Sequence, residues 1–218
     1  MIVYHFLDAR YGLEDIERRR LKVSRADSLN DPFDHLGLWL GDREMRHHLK
    51  IALKEAARQQ GLICFSESYN SPVMWSHYAD RHRGICLGFE IAKSDLTKIR
   101  YTRDLLRGEF NADFVVRPDE TDLMNRLIKT KFDEWSYERE QRLFVNLEKA
   151  DFDGQNYFVS FGSRMRLKKV IVGTLSEVSP EDVQEALGSL SDEVECFKTR
   201  TAFRSFAIVR QYNDNLWR

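Results

Sequence analysis

The sequence predicts an α+β fold: mostly antiparallel, split β-sheets with flanking helices, in a single domain over residues 1–218. Three observations carry that expectation. Short runs rich in β-branched and aromatic residues recur along the chain, and four of them cluster in its last third. Helical patterns fall irregularly among these runs instead of alternating with them one for one. Only four prolines and eleven glycines punctuate the 218 residues, and no repeat, low-complexity tract or linker interrupts them.

The elements follow in order. MIVYHFL sets Ile2, Tyr4 and Phe6 against Val3, His5 and Leu7, the two-residue period of a strand. GLEDIERRR suits a short helix with Leu13 and Ile16 one turn apart, and LKVS a second strand. RADSLNDPFD is a loop in which Pro32 pushes Asp31 toward extended backbone. DREMRHHLKIALKEAARQQG is a helix with the stripe Met45, Leu49, Leu53 and Ala56, and Gly61 is placed to close it. LICFS is a compact strand. SPVMWSHYA opens with Ser71 as N-cap and Pro72 at the first helical position. GICLGFEI is a strand that turns Ile85, Leu87, Phe89 and Ile91 one way. From Pro118 to about Tyr137 the spacing predicts a long helix. Its apolar face carries Met124, Leu127, Ile128, Phe132 and Trp135, and Lys131 lays its stem along that face. QRLFVNLE, NYFVSF, KKVIVG, VECFK and SFAIVRQY are strands, with SPEDVQEAL a capped helix among them.

Composition narrows the function. Thirty-four Lys and Arg face thirty-five Asp and Glu, a formal charge of −1, so a polyanionic partner needs a local basic patch. Three stretches offer one: Arg100, Arg103 and Arg107; Arg164, Arg166, Lys168 and Lys169; Arg200 and Arg204. Each taken singly reads as surface charge balanced by nearby acids. Cys64, Cys86 and Cys196 are far apart and lack metal-ligand spacing, and the first two sit in apolar runs as small core residues. No glycine-rich phosphate loop is present. No basic-then-apolar leader and no run of 18 apolar residues appears, which predicts a soluble, cytoplasmic protein without a membrane partner.

Three constellations bear chemistry. His5, beside Tyr4 on the first strand, offers one donor and one acceptor to a ribose hydroxyl, or stands as an ordinary core-edge histidine. In SLNDPFD, Asn30, Asp31 and Asp34 line a cleft or build an Asx-turn that Phe33 plugs into the core; turn chemistry accounts for every residue. The third joins FSESYNSPVMWSHYADRHRG to EWSYEREQRLF. Trp75 has the bulk of a core residue, whereas His77 and Tyr78 call for polar partners. Glu138 and Glu140 are two apart, which in extended chain puts both carboxylates on one face. The plain alternative is an exposed charged turn paired with Arg139 and Arg142, and the charge pattern alone favours it. Asp31, Asp34, Glu138 and Glu140 around magnesium would make a nuclease, but no spaced acid motif supports that reading.

YHF, LNDPFD, the CFSES…MWSHYADRHRGICLGF block and W-x-YE-x-E-x-R together resemble a widespread bacterial domain family of unknown function, over about residues 2 to 175. More distantly, the motif order is similar to ADP-ribosyltransferases, above all the DarT-type enzymes that modify DNA. That likeness implies an ADP-ribosyltransferase-like fold, NAD as cofactor, and a nucleic acid or protein acceptor. It also implies the setting of a toxin or antiphage effector with a cognate antitoxin or defence partner. Under it, Tyr4 and His5 hold the adenosine ribose, and Asn30, Trp75 and His77 belong to the pocket wall. Ser66 or Ser68 stands as the middle serine, and Tyr69 or Tyr78 as the aromatic on nicotinamide. Glu140 takes the catalytic place, and Glu138 orients the acceptor. The other expectation is a binding or sensing module of a defence system on the same fold, with both glutamates held in salt bridges.

Overall fold

The computed structural model describes residues 1–25, 29–31, 33–34, 37–39, 41, 43–106 and 126–217. The chain opens with β1 (Ile2–Leu7), α1 (Ala9–Glu17) and β2 (Arg20–Arg25). Then come α2 (Arg43–Gln59), β3 (Gln60–Ser66), α3 (Pro72–Tyr78) and β4 (Ile85–Ile91). Short strands β5 (Thr97–Lys98), β6 (Arg100–Thr102) and β7 (Thr130–Phe132) lead to β8 (Glu140–Asn146), β9 (Asp151–Phe152) and β10 (Tyr157–Ser160). The chain closes with β11 (Met165–Val172), α4 (Pro180–Leu187), β12 (Glu195–Thr201) and β13 (Ile208–Arg210). This is the mixed α+β architecture that the strand patterns predict.

Among the described residues eleven strands form one branched sheet, ordered β13-β12-β11-β4-β1-β3-β2-β10-β9, with β8 and β5 joined through β3. Its pairs are antiparallel except β11 with β12; the separate pair β6–β7 is also parallel. The branch point matters for function. One edge of β3 pairs with β8 along its whole length, from Gln60↔Asn146 to Ser66↔Glu140. The other edge is shared: β2 takes its start, at Ser24↔Leu62, and β1 only its end, at Tyr4↔Ser66. A seam therefore opens between β1 and β3, and Nδ1 of His5 crosses it to donate to the Cys64 carbonyl at 2.8 Å. A side chain thus replaces a missing ladder bond, as a buried carbonyl requires.

The alternation of β4 sets the two layers of the core. Ile85, Leu87, Phe89 and Ile91 join Val3, Ile16, Val183 and Leu187 on the face that α1 and α4 cover. Cys86 points the other way, to Phe6, Met74, Trp75, Ile171 and Phe197. Caps fix the helices as read: Ser71 accepts from the Met74 amide at 3.4 Å, and Ser179 forms a reciprocal capping box with Asp182.

Several local expectations are corrected. The helix from Pro118 to Tyr137 does not run through its second half: Thr130–Phe132 is a strand, and Asp133–Glu138 a 3-10 turn. Its first half, with Met124, lies outside the described residues. Parallel pairing of Arg100–Thr102 with Thr130–Phe132 takes the backbone hydrogen bonds that a helix would need. Gly61 does not close α2 but lies inside β3, where a Cβ would come within 2.3 Å of Val23. The buried stripe of α2 continues from Leu49 to Ala57, and Ala56 is exposed. Phe33 is 63% exposed and plugs no core, although the Asx-turn is present, with Asp31 accepting from the Phe33 amide at 2.9 Å.

Candidate functional site

A cavity of about 180 Å³ opens at the seam. Tyr4 and His5 come to it from β1, Asn30 and Asp34 from the Asx loop, and Ser66 from the end of β3. Met74 and Tyr78 come from one face of α3, and Lys131, Glu138 and Glu140 from the segment leading into β8. Of the residues singled out in the sequence, Tyr4, His5, Asn30, Ser66, Tyr78, Glu138 and Glu140 thus surround one hollow.

The other four lie off it. Trp75 is fully buried, donates from Nε1 to the Tyr69 carbonyl at 2.6 Å, and packs edge-on against Phe6. The Tyr69 ring sits edge-on between Tyr4 and Phe197. Ser68 ties its own turn through Asn70. His77 is exposed and bonds the Tyr137 hydroxyl at 3.0 Å.

The floor of the cavity is a buried ion cluster. Glu138 and Glu140 are both buried, so the charged segment is not an exposed turn. Arg139 between them is exposed and adopts the left-handed conformation, φ 49°, and that kink, with Glu138 still in the 3-10 turn, brings both carboxylates to one cation. Lys131 lies 2.6 Å from Glu138, 3.4 Å from Glu140 and 3.7 Å from Asp34. Its ammonium is held inside and does not reach out to solvent. Fully buried Arg142 bonds Glu140 through Nε at 2.6 Å and both Asp34 oxygens through Nη2 at 2.9 Å. Its Nη1 donates to the Ile128 carbonyl. Tyr78 donates to the second oxygen of Glu138 at 2.5 Å, and Asn30 bonds the same hydroxyl. The Tyr101 hydroxyl accepts from the Glu140 amide at 2.8 Å.

Electrostatics separates the two glutamates. Burial pushes Glu138 above the usual carboxylate range, despite Lys131 and Tyr78. Burial would also raise Glu140, but the hydrogen bond and charge of Arg142 hold it below that range. Burial works against the Lys131 ammonium, and the facing glutamates outweigh it, so the cation is secured. Burial lowers His5, which keeps its imidazole neutral; with Nδ1 donating to Cys64, Nε2 is left as an acceptor. The Cys64 thiol is pushed well up by burial and by Glu140, so it behaves as an inert thiol.

Lys131 and Tyr101 are the members of this site that the sequence patterns do not single out for it; Asp34 enters them as a cleft acid beside the glutamates, and Arg142 as the glutamates' ion-pair partner. Arg142 carried a signal, as the last position of E-x-E-x-R. Asp34 and Lys131 lie 97 positions apart, and nothing local links them. Among the described residues no group of three His, Cys, Asp or Glu is arranged to hold a metal ion. The basic stretches are largely balanced, with Arg103 paired to Asp133, Arg164 to Asp95, Arg166 to Glu90 and Lys169 to Glu195. Arg107 lies outside the described residues.

Residues 74–143 match a family model described as protein of unknown function (DUF2971). The matched stretch contains Tyr78, Lys131, Glu138, Glu140 and Arg142, while Tyr4, His5, Asn30 and Asp34 precede it. No curated protein and no solved structure matches the chain. Among the described residues no helix is long and apolar enough to cross a membrane.

Proposed function

We propose that the protein is an NAD-dependent ADP-ribosyltransferase that modifies a nucleic acid or a protein, in the setting of a toxin or antiphage effector. One observation carries this reading: His5, Tyr78 and the two glutamates, from three distant segments, face one cavity at the seam. Breaking the nicotinamide–ribose bond builds positive charge on the sugar. Three carboxylates against two cations leave an excess of negative charge at the cavity floor, suited to that developing centre. Drug-sized ligands fill pockets of roughly 300–1,000 Å³. A hollow of about 180 Å³ takes one ring and part of its sugar, with the rest of the dinucleotide outside. Tyr78 and Met74 would wall the nicotinamide and His5 would offer Nε2 to a hydroxyl. Glu138 is the more adaptable carboxylate, since its partners are a phenol and one ammonium.

The test is release of nicotinamide, with transfer of label from NAD to a cell extract. Activity is expected in the wild type and a loss of at least about a hundredfold in Glu138→Gln, with the fold checked by circular dichroism. If the folded wild type neither releases nicotinamide nor gains thermal stability from NAD, the reading fails. A second reading, a non-catalytic binding or sensing module, draws support from one fact. Each of the four oxygens of Glu138 and Glu140 already has a donor in Tyr78, Lys131 or Arg142. It predicts thermal stabilisation by some other small ligand and none by NAD.

A further inference from the structure

The turn joining β12 to β13 has no part in the site just described. Phe203 is 88% exposed and Phe206 101% exposed, and Tyr212 follows at 79%. Exposed aromatics in such density mark interaction surfaces. Phe203 and Phe206 border a depression also lined by Pro72, Ala202, Ala207 and Ile208. The turn is anchored to the loop before α3, where the Asn70 carbonyl accepts from the Ile208 amide and the Asn70 amide donates back to the Ile208 carbonyl. From Lys198 to Tyr212 the chain has four cations and no acid.

Those cations are unequally committed. Lys198 donates to the Ser176 carbonyl, and Arg210 is paired with Glu195. Arg200 lies over the Phe203 ring at 4.4 Å and bonds the Thr201 carbonyl. Arg204 has no described ion-pair partner. A polyanion needs several free cations in a row to collect its phosphates. This face offers a hollow between two rings and about two available guanidinium groups. We infer that the β12–β13 turn is a docking site for an acidic segment of a partner protein. That segment inserts one large apolar side chain between Phe203 and Phe206 and sets carboxylates against Arg200 and Arg204. Rigid aromatics flanked by arginine are what binding hot spots are made of. The inference does not depend on the transferase reading.

The probe is a synthetic peptide, Asp-Asp-Glu-Trp-Glu-Asp-Asp, titrated into the isotope-labelled full chain and followed by amide chemical shifts. Shifts are expected at residues 70–72 and 200–212, with saturable binding. Affinity should fall at least about fivefold when Trp is replaced by Ala, in Phe203→Ala/Phe206→Ala, and in Arg204→Glu. Both rings are solvent-exposed, so these variants keep the wild-type melting temperature. Three results would each overturn the inference: no shifts at millimolar peptide; equal binding of the Lys-for-acid peptide; or tighter binding of an eight-residue oligothymidylate to the same face.

Discussion

The ion cluster below the cavity and the turn between β12 and β13 use the same residue types to opposite ends. In the cluster Arg142 and Lys131 are buried among three acids, and each carboxylate lies against at least one of these cations. In the turn, arginines stand beside aromatic rings in solvent, and the answering charge has to come from elsewhere. Burying an ion costs several kcal/mol, which only close partners offset, whereas an exposed ion costs little and its pairs are worth little. Removing one member of the cluster therefore strands a buried charge at the cavity floor, while the turn can change with little effect on stability.

The sharpest way to break that contrast is Arg142→Met. It leaves Asp34 and Glu140 buried without their guanidinium, and a loss of about 3–5 kcal/mol is expected in urea unfolding. Adding Asp34→Asn and Glu140→Gln should return most of that loss. An Arg142→Met protein as stable as wild type would show that the cluster is not structural.

Asp15 on α1 provides the control, a buried acid with no ion pair among the described residues. Burial, with Glu14 beside it, raises its pKa from 3.8 to about 7. The folded form thus keeps its proton longer than the unfolded one. The stabilising contribution is complete below about pH 4 and drains away as the pH rises to about 7, flat thereafter. Asp15→Asn should remove that slope and add on the order of 2 kcal/mol at pH 8; unfolding at a series of pH values measures it. Tyr78→Phe, which strips one donor from Glu138, should cost about 1–2 kcal/mol and move the pH dependence of nicotinamide release. At the small end, Phe206→Ala should change stability by less than about 0.5 kcal/mol, and a larger effect would mean that the ring is packed.

Much of the fold was legible because it rests on local rules. The alternation of Ile85, Leu87, Phe89 and Ile91 needs only a two-sided strand, and Ser71-Pro72 and Ser179 to Asp182 satisfy helix starts within four residues. What escaped depends on distant partners. The i,i+4 spacing of Leu127, Lys131 and Trp135 imitates a helical face, but pairing with Arg100–Thr102 decides the backbone. Gly61 reads as a helix stop until Val23, 38 positions earlier in the chain, turns out to need the space its missing side chain leaves. The site divides in the same way. The glutamate pair was visible as a spacing and Asp34 as a cleft acid, whereas the lysine that unites the three acquires meaning only once the sheet folds.

The bond from His5 to Cys64 has a consequence of its own. Residue 5 is recruited as scaffolding before any ligand arrives, so the position selects for a short planar donor. Asparagine can mend the gap by the same geometry. Phenylalanine, which fits the volume, would strand the carbonyl and let the two halves of the sheet part along their common border.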